Sequence, residues 1–181
     1  MLFTGKGDKG DTSSFGCDQR FMKSSDLAEA LGAVDEINSL LGLCKVQSDN
    51  FSLPITDYQL HDVLEQVQQD LFIIQAGLAG ADKKLSSDKI KNLENIINAV
   101  EEELPKIKTF FLSGGTELGA LFDYARAVAR RAERRVVKLS GSGKVDDEIL
   151  AYMNRLSSFL YAMARFVNFK SGAEEQPPSY R

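Results

Sequence analysis

With 181 residues the chain can build one well-packed domain and is short for two. Its hydrophobic content of 43% and charged content of 27% are those of a soluble globular protein, and a net charge of −4 sets it apart from nucleic-acid binders, which carry a basic excess. The first residues lack a basic region followed by an apolar one, no apolar run reaches the ~20 residues that span a bilayer, and Cys17 and Cys44 form neither a CxxC pair nor a disulfide framework. A cytoplasmic protein with no nucleic-acid or membrane partner is expected.

Residues 3–23, FTGKGDKGDTSSFGCDQRFMK, are rich in glycine, lack an apolar period and are expected to form a loop. Gly5, Gly7 and Gly10 allow the backbone to approach a ligand closely. Thr4, Lys6, Lys9, Thr12, Ser13, Arg20 and Lys23 supply donors suited to phosphate oxygens. No GxxxxGK[ST] is present, so this is not a Walker A loop. A frayed terminus has the same composition.

Ser24, Ser25 and Asp26 are N-cap candidates for a first helix reaching about Cys44, with Leu27, Leu31, Val34, Ile37 and Leu41 as its apolar stripe. Glu29 stands where a capping box from Asp26 would want it. Asp35 and Asn38 lie in or beside that stripe and call for partners. A second helix is expected from Asp57 to about Ala79, carried by Leu60, Val63, Leu64, Val67, Leu71, Ile74 and Leu78. A third, capped by Ser86 or Ser87, is carried by Ile90, Leu93, Ile96, Ile97 and Val100 and ends at Pro105. Phe110, Phe111 and Leu112 are too short a run for a helix, and Gly114-Gly115 is a turn. The two aromatics are either core plugs or the wall of a site for a flat ligand.

Thr116 caps a fourth helix containing YARAVARRAERRVV, Tyr124 to Val137. At the helical period Ala125, Val128, Ala129, Ala132 and Val136 form a core face. Arg126, Arg130, Glu133 and Arg134 stack on the other side. Arginine's forked donors suit phosphate, although a solvated face with an Arg130–Glu133–Arg134 pairing is the commoner role for such a pattern. The linker 141–144 stops this helix, and Asp146 starts a last one to about Phe169, where Leu150, Met153, Leu160, Ala164 and Val167 face inward and Asn154 and Ser157 interrupt them. The tail from Gly172 is ordered only if it docks. Five helices with no strand signature predict an all-α, antiparallel five-helix bundle forming a single domain over 1–181.

Bundles of this kind often hold carboxylate-bridged metals through Glu-x-x-His pairs, but the single histidine, His61, is preceded three residues earlier by Tyr58. A catalytic triad fails as well. His61 is expected at the surface, and no side chain looks like an activated nucleophile. The chemistry must come from the ligands.

TGKGDKGDTSSF at the N-terminus, YARAVARRAERRVV, and YMNRLSSFLYAMARFVN in the last helix together resemble the ATP:cob(I)alamin adenosyltransferases of the trimeric helical-bundle type, related to propanediol-utilisation and methylmalonic-aciduria enzymes. ALGAVDEINSLLGL, VQQDLFIIQAGLA and FFLSGGTELG fit in the same order, so the likeness runs from Thr4 to about Asn168. It implies transfer of the 5′-deoxyadenosyl group of ATP to the Co(I) of cobalamin with release of triphosphate, Mg²⁺ on the phosphates, and a homotrimer with active sites between subunits. A carrier or sensor of ATP or corrinoid on the same fold is the alternative. A reductase supplying Co(I) and an adenosylcobalamin-dependent enzyme are implied partners.

By position, the resemblance assigns ATP to Thr4, Gly5, Lys6, Gly7, Thr12, Ser13 and Lys23 in an N-terminal loop spanning 1–23, and to Arg130, Glu133, Arg134 and Asn154. Arg126 corresponds to an arginine paired with Asp35 of a neighbouring subunit; the resemblance makes Arg126, Arg130, Asp35 and Phe110 the catalytic residues, with Asp35 and Phe110 also on the corrin. Phe110 corresponds to an aromatic that packs on the corrin and displaces its lower ligand, easing reduction of cobalt. Lys6 replaces the family's usual Thr or Arg, and Ser113 replaces the proline of a Pro-Gly-Gly turn. Alignment between Phe15 and Lys23 needs an extra residue, which leaves the place of Arg20 open.

Overall fold

The computed structural model describes residues 3–13, 20–55, 58–141 and 145–180. Cys17, Asp57, residues 142–144 of the expected linker and most of the Phe15–Lys23 stretch lie outside them. Five helices dominate: α1 (Asp26–Val46), α2 (Leu60–Leu78), α3 (Ser87–Glu103), α4 (Glu117–Ser140) and α5 (Asp147–Lys170). No described helix is long and apolar enough to cross a membrane.

The expected absence of strands is corrected by β1 (Asp11–Ser13) and β2 (Arg20–Met22), which pair antiparallel with Thr12 opposite Phe21. Three residues a side are too few to display a period, and side-chain contacts support the pairing. Arg20 lies diagonally across from Asp11 and grips both its carboxylate oxygens, at 2.6 and 2.8 Å.

Helix starts follow their caps. Ser25 accepts from Ala28 N, Ser86 from Asp88 N and Thr116 from Gly119 N. The first cap is thus Ser25 and not Asp26, and Glu29 pairs with Arg135 of α4 instead of closing a capping box. α2 begins at Leu60, the first residue of its apolar pattern and later than the expected Asp57; just before it Ser52 and Gln59 form a bridge, and Leu60 N donates to Phe51 O at 2.9 Å.

α4 packs between α1 and α5, α2 lies on α1, and α3 on α5. α5 is the most deeply buried helix: Tyr152, Leu156, Phe159, Met163 and Phe166 are sealed in addition to the expected Met153, Leu160, Ala164 and Val167. Each such large side chain contributes about 1.5–3 kcal/mol through burial. Asp70 of α2 is 3% exposed and joins three helices, accepting from Tyr152 Oη (3.1 Å), Gln66 Nε2 (2.9 Å) and Lys89 of α3. Burial, with the Asp70 charge, pushes the Tyr152 hydroxyl well above its ordinary range. Cys44 is buried and its thiol is pushed up to about 12 by that burial, so it is inert. His61 is at the surface as expected, its Nδ1 3.0 Å from Asp49 Oδ1.

Candidate active site

The N-terminal loop is held by its own side chains. Lys23 Nζ donates to Gly7 O at 2.8 Å, and a Cβ at Gly7 would stand 3.0 Å from that ammonium, so glycine makes room for the lysine. Lys23 N closes on Gly10 O at 2.9 Å. Arg20 Nη2 also reaches Lys6 O at 2.7 Å, and the Arg20 hydrogen bond holds the Asp11 carboxyl below its usual range. Arg20 therefore braces the loop. Thr4, Gly5, Lys6, Ser13 and Lys23 are exposed, with Gly7 and Thr12 half-buried. Thr4 Oγ1 accepts from Lys6 N at 3.4 Å.

α4 carries two sets of cations. Arg131, Arg135 and Lys138 pair with Glu36, Glu29 (3.0 Å) and Asp26 (2.6 Å) of α1. Arg126, Arg130 and Arg134 make no ion pair or hydrogen bond among the described residues. The Arg130–Glu133–Arg134 pairing open to the sequence is not formed. Glu133 instead accepts from Asn154 Nδ2 at 3.0 Å, and Asn154 Oδ1 accepts from Arg155 Nη1 at 2.8 Å. Arg130, Glu133, Arg134 and Asn154 thus lie on neighbouring outer faces of α4 and α5.

Asn154 does not interrupt the core, as its sequence position suggests, and Asp35 lies beside its stripe; both are exposed. Asn38 and Ser157 are the buried polar residues of those stripes. Asp35 makes no ion pair with Arg126 within the described chain. Arg126 has a buried Nε without a partner, and its Cζ lies 5.9 Å from the Tyr161 ring centroid.

Arg126 and Tyr161 form one wall of a cleft of about 630 Å³ that Phe110, Phe111 and Asp123 also line. Phe110 is 79% exposed, an unplugged aromatic at the cleft's rim. The floor of the adjoining turn is fixed by Asn168, whose Oδ1 accepts from Thr116 N (2.9 Å) and Oγ1 (2.8 Å) while its Nδ2 donates to Gly114 O (2.7 Å). A Cβ at Gly119 would come within 2.1 Å of Asn168 Oδ1, so α4 needs a glycine there. Asp123 accepts from Gly114 N at 3.1 Å, and burial pushes its carboxyl up against the opposing pull of that amide and Arg126.

The chain that carries this loop of donors, arginine face and aromatic-rimmed cleft has recognisable relatives. The family model for cobalamin adenosyltransferase matches residues 2–167. The chain belongs to that family. A corrinoid adenosyltransferase of Bacillus subtilis is 38% identical over 175 residues, covering 94% of this chain and 88% of that one. The corrinoid adenosyltransferase PduO of Citrobacter freundii is 36% identical across 91% of this chain, which spans 49% of that longer protein. A phenylalanine-to-alanine variant of the PduO-type ATP:corrinoid adenosyltransferase from Lactobacillus reuteri, solved with cobalamin and ATP, superposes with a TM-score of 0.87 at 31% identity, covering 98% of this chain and 99% of that one.

In this adenosyltransferase-family chain, sequence reasoning passed over Asp123, Tyr161, Arg165 and Asn168. Gly119 was the available signal: a lone glycine in the first turn of a helix marks a close approach, here of Asn168.

Proposed function

We infer that the protein is an ATP:corrinoid adenosyltransferase, moving the 5′-deoxyadenosyl group of ATP to the Co(I) of a corrinoid. The observation that carries the reading is one face of α4 whose Arg126, Arg130 and Arg134 have no carboxylate partner among the described residues, Arg126 lining the Phe110 cleft, on a chain of this family. Co(I) donates an electron pair to C5′, the C5′–O bond breaks, a Co–C bond forms, and triphosphate leaves with the bonding electrons. No protein nucleophile is required.

The residues then have positioning and electrostatic tasks. Thr4, Gly5, Lys6, Gly7, Thr12, Ser13 and Lys23 wrap the phosphates, with Mg²⁺ carried on the phosphate oxygens. Arg130 and Arg134 neutralise charge as triphosphate departs. Asn154 orients the nucleotide and holds Glu133. Lys6 keeps the donor its position needs, and Ser113 lies in a turn that Asn168 and Asp123 already fix through Gly114. Phe110 packs on the corrin and removes its lower ligand.

The site is shared between subunits of a homotrimer. The unpartnered Nε of Arg126 and the exposed Asp35 support an Asp35–Arg126 pair across that interface. Exposed Leu43 and Val46 on α1 supply apolar surface for it. A reducing cytoplasm, a Co(I)-producing reductase and a consumer of adenosylcobalamin complete the setting.

The test is anaerobic incubation with ATP, Mg²⁺ and chemically reduced cob(I)alamin. Adenosylcobalamin and triphosphate formed in equal amounts are expected. Saturable binding of ATP and cobalamin without product would reject the catalytic reading.

A further inference from the structure

The segment 105–115 carries Phe110 yet contains no helix or strand. Among the described residues its one backbone-to-backbone hydrogen bond runs from Leu112 N to Gln176 O of the C-terminal tail, at 2.8 Å. Beneath it lies Arg165 of α5, its side chain only 5% exposed. Arg165 Nε and Nη2 donate to the two carboxylate oxygens of Glu175 at 2.7 and 2.9 Å. Nη2 donates as well to Pro105 O at 2.9 Å, and Cζ sits 5.4 Å from the Phe111 ring centroid.

An arginine this deeply buried needs a charged partner, and Glu175 from the tail supplies it. The tail is rooted by Ala173 N on Asn168 O at 2.9 Å, and Asn168 is the residue that fixes Gly114 and Thr116. Contacts from Arg165 and the tail therefore grip the segment before Phe110, at Pro105, and after it, at Phe111 and Leu112. Phe110 itself has no hold of its own.

We propose that Glu175 is a positioning residue for Phe110: locked onto Arg165, the tail from Ala173 to Gln176 straps down the segment that presents the Phe110 ring to the cleft. This rests on the reading of that cleft as the corrin side of the active site. Glu175 touches none of the residues assigned to ATP, so its influence is confined to the corrin.

The chain has no tryptophan, so Phe110→Trp installs a single emission reporter on the strapped segment. Adding Glu175→Ala should lower its fluorescence anisotropy, whereas Glu175→Gln, which keeps an acceptor for Arg165, should stay near the parent value. In the otherwise native chain, Glu175→Ala should lower kcat/KM for the corrinoid about ten- to a hundredfold with the ATP KM unchanged. Combined with Phe110→Ala, the same change should add less than about twofold, since both act through one group.

Unchanged anisotropy, or a full Glu175→Ala loss persisting in the Phe110→Ala background, overturns the proposal. If Glu175→Ala unfolds, the paired variant Arg165→Met with Glu175→Leu removes both charges without stranding a buried arginine and is read the same way. Anisotropy needs no substrate. A wild-type protein without turnover whose reporter still responds to Glu175→Ala would sink the catalytic reading and keep the strap.

Discussion

Two sets of cations on α4 have the same chemistry and opposite circumstances. Arg131, Arg135 and Lys138 face α1 and are occupied by Glu36, Glu29 and Asp26. Arg126, Arg130 and Arg134 lie off that face and make no ion pair or hydrogen bond among the described residues, Arg126 resting against the Tyr161 ring. The first set stitches two helices together through half-exposed ion pairs, each worth about 0–1 kcal/mol. The second is the charge that the proposed function assigns to ligand. Density of arginine alone does not separate structure from function; what the neighbouring helix offers does.

The comparison breaks first at Arg130. Arg130→Ala should lower kcat about a hundred- to a thousandfold by removing a donor from the departing triphosphate, while the thermal midpoint barely moves. Steady-state kinetics alongside calorimetry decides it, and an unfolded variant would make this arginine structural.

Next in size is the subunit boundary. Asp35→Asn and Arg126→Ala should each lower activity about tenfold by breaking the charge pair proposed across subunits. Trimers assembled from the two variants mixed together should regain part of the loss, because one boundary in such a mixture pairs native Asp35 with native Arg126. No recovery on mixing would place the pair within a single chain or nowhere.

A smaller effect is expected in the hairpin. The Arg20 hydrogen bond depresses the Asp11 carboxyl, so the hairpin's contribution is fully present above the unfolded carboxylate value of about 3.9 and is lost as pH falls through the lower folded value. Amide protection at Lys23 should follow that course, and Asp11→Asn should remove the acid dependence and raise the ATP KM a few-fold. Protection that persists unchanged in Asp11→Asn would show that Arg20 does not hold the loop. The smallest change is expected from Arg131→Ala, about 0–1 kcal/mol of stability with kcat unaltered.

Much of this was legible in the chain. The helices announced themselves by period and cap, and the core face of α4 from Ala125 to Val136 is buried as its spacing requires. The two arginine sets could not be told apart, because pairing depends on which helix lies alongside, and periodicity gives no helix order. Asp35 and Asn154 read as intrusions into apolar stripes because each directly follows a stripe residue, Val34 and Met153; both turn out exposed. The hairpin was too short for any periodic signal. Arg165 was hidden by its surroundings in sequence, since its partner Glu175 stands in a tail with no pattern of its own.

The most direct measurement is calorimetric titration of inorganic triphosphate into the native protein, Arg130→Ala and Arg131→Ala. Arg130→Ala should weaken binding about tenfold or more, a loss of roughly 1.4 kcal/mol, with Arg131→Ala indistinguishable from the native chain. Equal binding by all three, or equal losses in both variants, would contradict the division of α4 into a structural and a functional face.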